Sequence, residues 1–298
     1  MPAKFTHIYI ADQIFDYITE NKLFKNNKIN KKLLYLGAIS HDLPYFHQSG
    51  KSDFSRIGKS LHGDNLNDPS IFLKKYKEKL TTDNQFSFLI GLITHYITDQ
   101  VFHPVIYYQT GNYYDKDLLK REIAREKHRK LESLLDVFTI NYFNFDYNIF
   151  NLKSVTKVEL ENLYTILSNS TMSKTSDWID SFNDFLKIEK KLNNKNIIIL
   201  LKLLSTFNLK YKSILALAIK DKKYNKNLFT KDFNYMNLYT GEKKETNYLK
   251  LFKTVNLQIK KILLELEEQN KLQLLNNSLS TFGKQLKPED CKFFSNKS

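Results

Sequence analysis

Apolar residues near the C-terminus recur at helical spacing. Tyr248, Leu251, Phe252, Val255, Ile259, Ile262, Leu263 and Leu266 fall on one stripe of a 3.6-residue repeat, which predicts a long amphipathic helix. Ile123, Leu131, Leu134, Leu135 and Phe138 predict another. Helix breakers are scarce in the second half. No proline lies between Pro104 and Pro288, and Gly241 is the only glycine between Gly111 and Gly283, so long helices are expected there. In the first hundred residues, turn sequence at Ser49-Gly50, His62-Gly63-Asp64 and Asp68-Pro69 separates shorter helices. Aromatics interleave with polar residues from Tyr224 to Tyr239, which reads as a long connection between two helical blocks. The pattern predicts an all-α multi-helix bundle with a C-terminal helical extension, divided into residues 1–150 and a Lys/Asn-rich helical region, 151–298.

Composition adds bounds. A chain of 298 residues with 42% hydrophobic content can form one large domain or two with a substantial core. It has no run of about 18 apolar residues, and its most apolar stretch, Ile197 to Leu201, is broken at Lys202. Polar Thr6 and His7 and acidic Asp12 and Asp16 follow Met1-Pro2 without the basic-then-apolar order of a secretory signal, so a cytoplasmic protein is expected. The single cysteine, Cys291, forbids an intramolecular disulfide, in keeping with a reducing compartment. Charge is uneven: residues 1–150 hold 20 Lys and Arg against 17 Asp and Glu, and residues 151–298 hold 26 against 15. Such a basic half can attract anionic lipid head groups or nucleic acid. With no compact run of five basic residues, lysines on solvated helix faces are the simpler reading.

The histidines carry the chemistry. All seven fall between His7 and His128, and the 170 residues that follow contain none. His95, Asp99 and His103 recur every fourth residue, which on a helix puts them on one face. His128 and Glu132 repeat that interval in a helix-favouring stretch. His7, Asp42 and His62 complete eight candidate ligands. A single His-x-x-x-Asp pair is usually a surface contact; the concentration of these elements in one half argues for a metal cluster. Neutral imidazole with carboxylate suits zinc, and eight ligands are too many for one ion, so two or three are expected. His41 and His47 are further candidates, His47 reading more simply as a solvated loop histidine. No Gly-x-x-x-x-Gly-Lys phosphate loop and no Gly-x-Ser-x-Gly nucleophile motif occurs, and Cys291 is remote from every histidine in sequence.

The order of these residues, with Met-Pro-Ala-Lys-Phe-Thr-His at the start, Leu36-Gly37-Ala38-Ile39 before His41-Asp42-Leu43-Pro44-Tyr45, Thr94-His95-Tyr96 and Phe102-His103-Pro104, resembles the bacterial zinc-dependent phospholipase C family over about residues 1–140. That family and the related fungal single-strand nucleases are all-helical phosphodiester hydrolases with three zinc ions. The resemblance implies one zinc on Asp42, His62, His95 and Asp99, and a second on His103, His128 and Glu132. A third would lie on His7 with Asp99 as a bridge. Secreted members complete that third site with a processed N-terminal tryptophan, where this chain has Met1-Pro2. The implied reaction is hydrolysis of a phospholipid head-group phosphodiester by zinc-activated water, with Asp42 as ligand and general base. Tyr45, Phe46 and Tyr96 are candidate pocket aromatics, and no protein partner is implied.

Rival readings are a single-strand nuclease on the same metals and a non-catalytic, metal-stabilised helical binding module. An HD-type phosphohydrolase using His7, His41, Asp42 and Asp99 is a third, but it leaves His62, His95, His103, His128 and Glu132 without a role.

Overall fold

The computed structural model describes residues 4–50, 52–62, 70–219, 223, 225–275 and 292–294. The turns expected at Gly63-Asp64 and Asp68-Pro69, and Cys291, lie outside them. Among the described residues the fold is all-α with one two-stranded hairpin. Its helices are α1 (Lys4–Glu20), α2 (Lys31–Ser40), α3 (Ser55–Leu61), α4 (Ser70–Lys77), α5 (Asp83–Thr110), α6 (Leu118–Tyr142), α7 (Lys157–Thr171), α8 (Thr175–Leu192), α9 (Lys195–Ser205), α10 (Leu209–Leu215), α11 (Lys226–Thr230) and α12 (Tyr248–Gln269).

Helix α5 is the axis of the bundle. Thr82 and Gln85 start it with a reciprocal capping box, the Thr82 hydroxyl accepting from Gln85 N at 3.3 Å and the Gln85 amide oxygen from Thr82 N at 3.2 Å. Gly111, at φ 96°, ends it in a conformation that L side chains rarely adopt. Its residues are buried on every side, as a helix enclosed by α1, α2, α4, α6, α7 and α12 requires. Pro104 lies inside it and removes one backbone donor, yet the helix continues for six residues because packing holds both flanks.

Two glycines decide how closely α2 approaches α5. A Cβ built on Gly37 would stand 2.2 Å from the Phe88 carbonyl oxygen, and one on Gly91 2.1 Å from that of Leu34, so any side chain at either position would push the helices apart. This contact sets the end of α2, with His41 and Asp42, against the middle of α5, with His95 and Asp99.

The remaining helices, apart from α9 and α10, which pack in a small satellite core, join one principal core running from Phe5 to Leu275. The predicted C-terminal stripe is the buried face of α12, where Phe252 meets Phe102 and Phe143 edge-on and the Tyr248 hydroxyl donates to Gln109 at 2.6 Å. On α6, Leu131, Leu135 and Phe138 are buried as predicted and Leu134 packs against the core, but Ile123 is 37% exposed. Tyr224 lies outside the described residues; from residue 225 the expected connection is instead α11 followed by an antiparallel hairpin, β1 (Phe233–Met236) with β2 (Lys243–Thr246), in register from Phe233 opposite Thr246 to Met236 opposite Lys243. Four-residue strands with one solvated partner give too short an alternation to stand out.

Candidate metal centre

Eight side chains from five places in the chain meet at one buried point. His7 comes from the second turn of α1, Asp42 from the turn after α2, and His62 from the C-cap of α3. His95, Asp99 and His103 line one face of α5, and His128 and Glu132 one face of α6. All are buried. Every sequence-predicted ligand is therefore in the cluster.

Asp99 is its centre. Its Oδ1 lies 3.3 Å from His7 Nε2 and 3.5 Å from His103 Nε2; its Oδ2 lies 3.2 Å from His62 Nε2 and 3.3 Å from His95 Nε2. Asp42 Oδ1 is 3.4 Å from His62 Nε2, and Glu132 Oε1 is 3.4 Å from His103 Nε2 and 3.2 Å from His128 Nε2. Three groups have ligand atoms mutually within 4.8 Å: His7, Asp42 and His95; His62, His95 and Asp99; and His103, His128 and Glu132.

These distances fit a metal better than hydrogen bonding. Charge-assisted N–H···O bonds close to about 2.7–2.9 Å. Two ligands each about 2.1 Å from a tetrahedral zinc stand about 3.4 Å apart, which is the spacing repeated throughout the cluster.

Tautomers point the same way. His95 Nδ1 lies 2.7 Å from the Ala38 carbonyl and His62 Nδ1 2.6 Å from that of Gly58. A carbonyl only accepts, so each Nδ1 donates, and the neutral ring turns a lone pair at Nε2 toward the carboxylates. His95 Nε2, buried and without a hydrogen bond, then faces Asp99 Oδ2 as acceptor against acceptor. A cation or a second ring proton relieves that contact, and backbone carbonyls behind ligand imidazoles are the usual outer support of zinc sites.

Electrostatics reflect the crowding. Burial lowers the His7 pKa to about 4, with His95 adding to the shift and Asp99 opposing it. Burial also pulls His62 down, but Asp42 and Asp99, as acceptors and as charges, override it and raise the pKa to about 10, so that without a cation a second proton at Nε2 takes the place between ring and carboxylates. Asp99 and Glu132, which burial alone would push up, are held well below the carboxylate range, Asp99 chiefly by His103 and His95 and Glu132 chiefly by His128.

His41, a further candidate in the sequence, is a neighbour of the cluster, and Tyr107, Tyr113 and Asp136 are neighbours that were not read from the sequence. His41 stacks on one face of His95, centroids 4.4 Å apart, and His7 on the other at 4.0 Å. Tyr107 packs by His103 and His128, and Tyr113 by His128 at 5.1 Å. Tyr107 continues the four-residue interval of His95, Asp99 and His103, which was the available signal. Asp136 extends that of His128 and Glu132: its Oδ1 accepts from the Thr6 amide at 2.9 Å and hydroxyl at 3.0 Å, capping α1 at the residue before His7.

Of the expected pocket aromatics, Tyr45 borders the cluster, its hydroxyl 3.5 Å from His62 Nδ1. Phe46 turns to Phe185, and the buried Tyr96 accepts from Gln100. His47 is not solvated: it is buried, its Nδ1 2.6 Å from the Ser52 hydroxyl, at a distance from the cluster in its own loop contact with Phe54.

A family model for zinc dependent phospholipase C matches residues 6–196, a span that holds all eight side chains. The chain belongs to the zinc-dependent phospholipase C family. At the level of class it is a metal-dependent, phospholipase-like hydrolase. No curated protein and no solved structure matches it. Among the described residues no helix is long and apolar enough to cross a membrane.

Proposed function

We propose that the chain hydrolyses the head-group phosphodiester of a phospholipid, as a phospholipase C. The observation that carries this reading is the meeting of eight imidazoles and carboxylates at zinc-ligand spacing around Asp99, in a member of a family defined by that chemistry. Asp42, His62, His95 and Asp99 would hold one zinc, His103, His128 and Glu132 a second, and His7 with Asp99 a third. The His7, Asp42 and His95 group supports sharing of His95 and Asp42 between the first and third. Bound zinc lowers the pKa of water toward about 7 and draws charge from phosphoryl oxygens.

The chain's own groups supply the rest. Asp42 accepts the proton that water loses as its oxygen bonds to phosphorus. The phosphorus–oxygen bond to the diacylglycerol breaks, and that oxygen takes up a proton from water. Ala38 and Gly58 keep the His95 and His62 rings turned with Nε2 toward Asp99. Tyr45, Tyr107 and Tyr113 border the cluster, where they shield it from bulk water.

The tyrosines beside His128 favour a second reading, because aromatic rings near such a cluster can stack bases of single-stranded nucleic acid. One experiment separates the two. Zinc-loaded protein is incubated with phosphatidylcholine micelles and, in parallel, with single-stranded DNA. Head-group phosphate release that a chelator and His95→Ala both abolish supports the phospholipase; cleavage of DNA alone moves the chain to the nuclease. Inactivity on both leaves a different phosphoester or a non-catalytic module.

A further inference from the structure

Helix α9 presents an apolar ridge to solvent. Ile199, Leu200 and Leu203 are 64%, 53% and 61% exposed, and Phe207, in the turn that follows, is 83% exposed. Single exposed aliphatic residues are ordinary; four within nine positions form a patch. The helix is apolar around most of its circumference, and only one side is used internally. Ile198 is buried, and Leu201 packs with Ile214, Leu215 and Leu217 in a small satellite core.

Charge says what the outer side fits. From residue 190 to 219 the chain has six lysines, Lys190, Lys191, Lys195, Lys202, Lys210 and Lys212, and no acidic residue. All six are exposed. A second copy of the same face would bring these charges against each other. An anionic surface would neutralise them while taking up the ridge. At 11 residues and about 1.5 Å per residue, α9 is about 16 Å long, half the thickness of a bilayer's hydrocarbon core, so it can lie in the interface without crossing.

The ridge is tied to the helix that carries His128 and Glu132. Along α10, Lys212 pairs with Glu126, Ser213 with Arg129 and Ala216 with Ser133, so α10 and α6 run side by side in the same direction. Phe207, just before α10, therefore lies toward the starting end of α6, where Leu118, Leu119 and Ile123 are also exposed. Leu119 lies nine residues before His128 on that helix, about 14 Å along its axis.

We propose that α9 and the turn to α10 dock the protein on anionic lipid bilayers, Ile199, Leu200, Leu203 and Phe207 entering the interface and the lysines meeting the head groups. Docking stands on this face alone, so it is tested by binding, without turnover. Full-length protein is sedimented with phosphatidylcholine vesicles and with phosphatidylcholine–phosphatidylglycerol vesicles, before and after chelation.

Wild-type protein should partition onto the anionic vesicles, be released by high salt, and bind equally well when chelated. Leu203→Glu with Phe207→Glu should weaken partitioning at least about tenfold. Lys195→Glu with Lys202→Glu should weaken it on anionic vesicles and leave any binding to neutral ones unchanged. These positions are exposed, and unchanged melting and helicity confirm that the variants fold. Absence of wild-type binding, or binding that both double variants retain, overturns the proposal. So does a wild-type dimer that Leu203→Glu with Phe207→Glu converts to monomer, which would assign the ridge to a second copy. Vesicle binding without head-group release would sink the phospholipase reading and leave docking standing.

Discussion

Asp99 faces four imidazoles while His128 faces one carboxylate and two tyrosines, and this difference ranks the ligands. Metal analysis of purified variants should show Asp99→Ala losing the most zinc per chain and His128→Ala losing the equivalent of one ion. Equal zinc content in wild type and both variants would remove the cluster. Asp136 makes a prediction of a different kind. Burial raises its pKa to about 7 against the pull of Lys4 and of hydrogen bonds from Thr6 and Phe5, whereas an unfolded Asp ionises near 4. Between those values the folded chain holds a proton that the unfolded chain has released. Its contribution to stability therefore falls as pH rises, by up to about 1.4 kcal/mol per unit. Denaturant titrations from pH 4 to 8 should show Asp136→Asn with a shallower fall than wild type. A parallel pair of curves would show that this carboxyl does not titrate in that range. The sequence made the ligands readable because His95, Asp99 and His103 repeat every fourth residue. Asp136 and Tyr107, one step further on the same intervals, did not stand out because an interval says which residues share a face and not what that face meets.

Among elements, the crossing of α2 and α5 is the most exacting contact. Ala38 is next to Gly37 and supplies the carbonyl to which His95 Nδ1 donates, so helix spacing and ring orientation are one geometric fact. Gly91→Ala would put a methyl group 2.1 Å from the Leu34 carbonyl oxygen, and backbone cannot yield as a side-chain tip can. Such overpacking should cost about 1–3 kcal/mol or more in denaturant unfolding. It should also lower zinc content by displacing Asp42 relative to His95. Wild-type stability and metal content in this variant would show that the two helices slide freely. The long helices α6 and α12 were legible because their buried faces repeat every 3.6 residues over many turns, whereas the length of α5 was not, since a helix buried on every side has no such face. The β1–β2 hairpin was not, since four residues per strand barely establish a period and β2 is mostly solvated. His47 illustrates the same limit for loops: its burial depends on α8 and the 3-10 turn at 47–50 folding over it.

For the whole molecule, the cluster joins α1, α3, α5, α6 and the turn after α2, so an ion bound there stabilises the fold as well as the site. Free zinc at about 100 times its dissociation constant should add about 2.7 kcal/mol per site, and a chelator should lower the melting temperature accordingly. The effect should fade as the solution is acidified and protons compete for imidazole nitrogen. A melting temperature indifferent to chelator at pH 7.5 would mean that the ligands are preassembled without a cation. The sequence by itself determined the helical class, through 3.6-residue periodicity, and five of the eight candidate ligands, His95, Asp99, His103, His128 and Glu132, through intervals that one helix converts into one face. Tertiary structure alone decided that Asp99 is shared among four imidazoles, that Ala38 and Gly58 orient two of them, and that Asp136 caps the helix bearing His7. It also decided which apolar residues of α9 stay outside, because local spacing states which residues share a face and only the packing of distant segments states what that face meets.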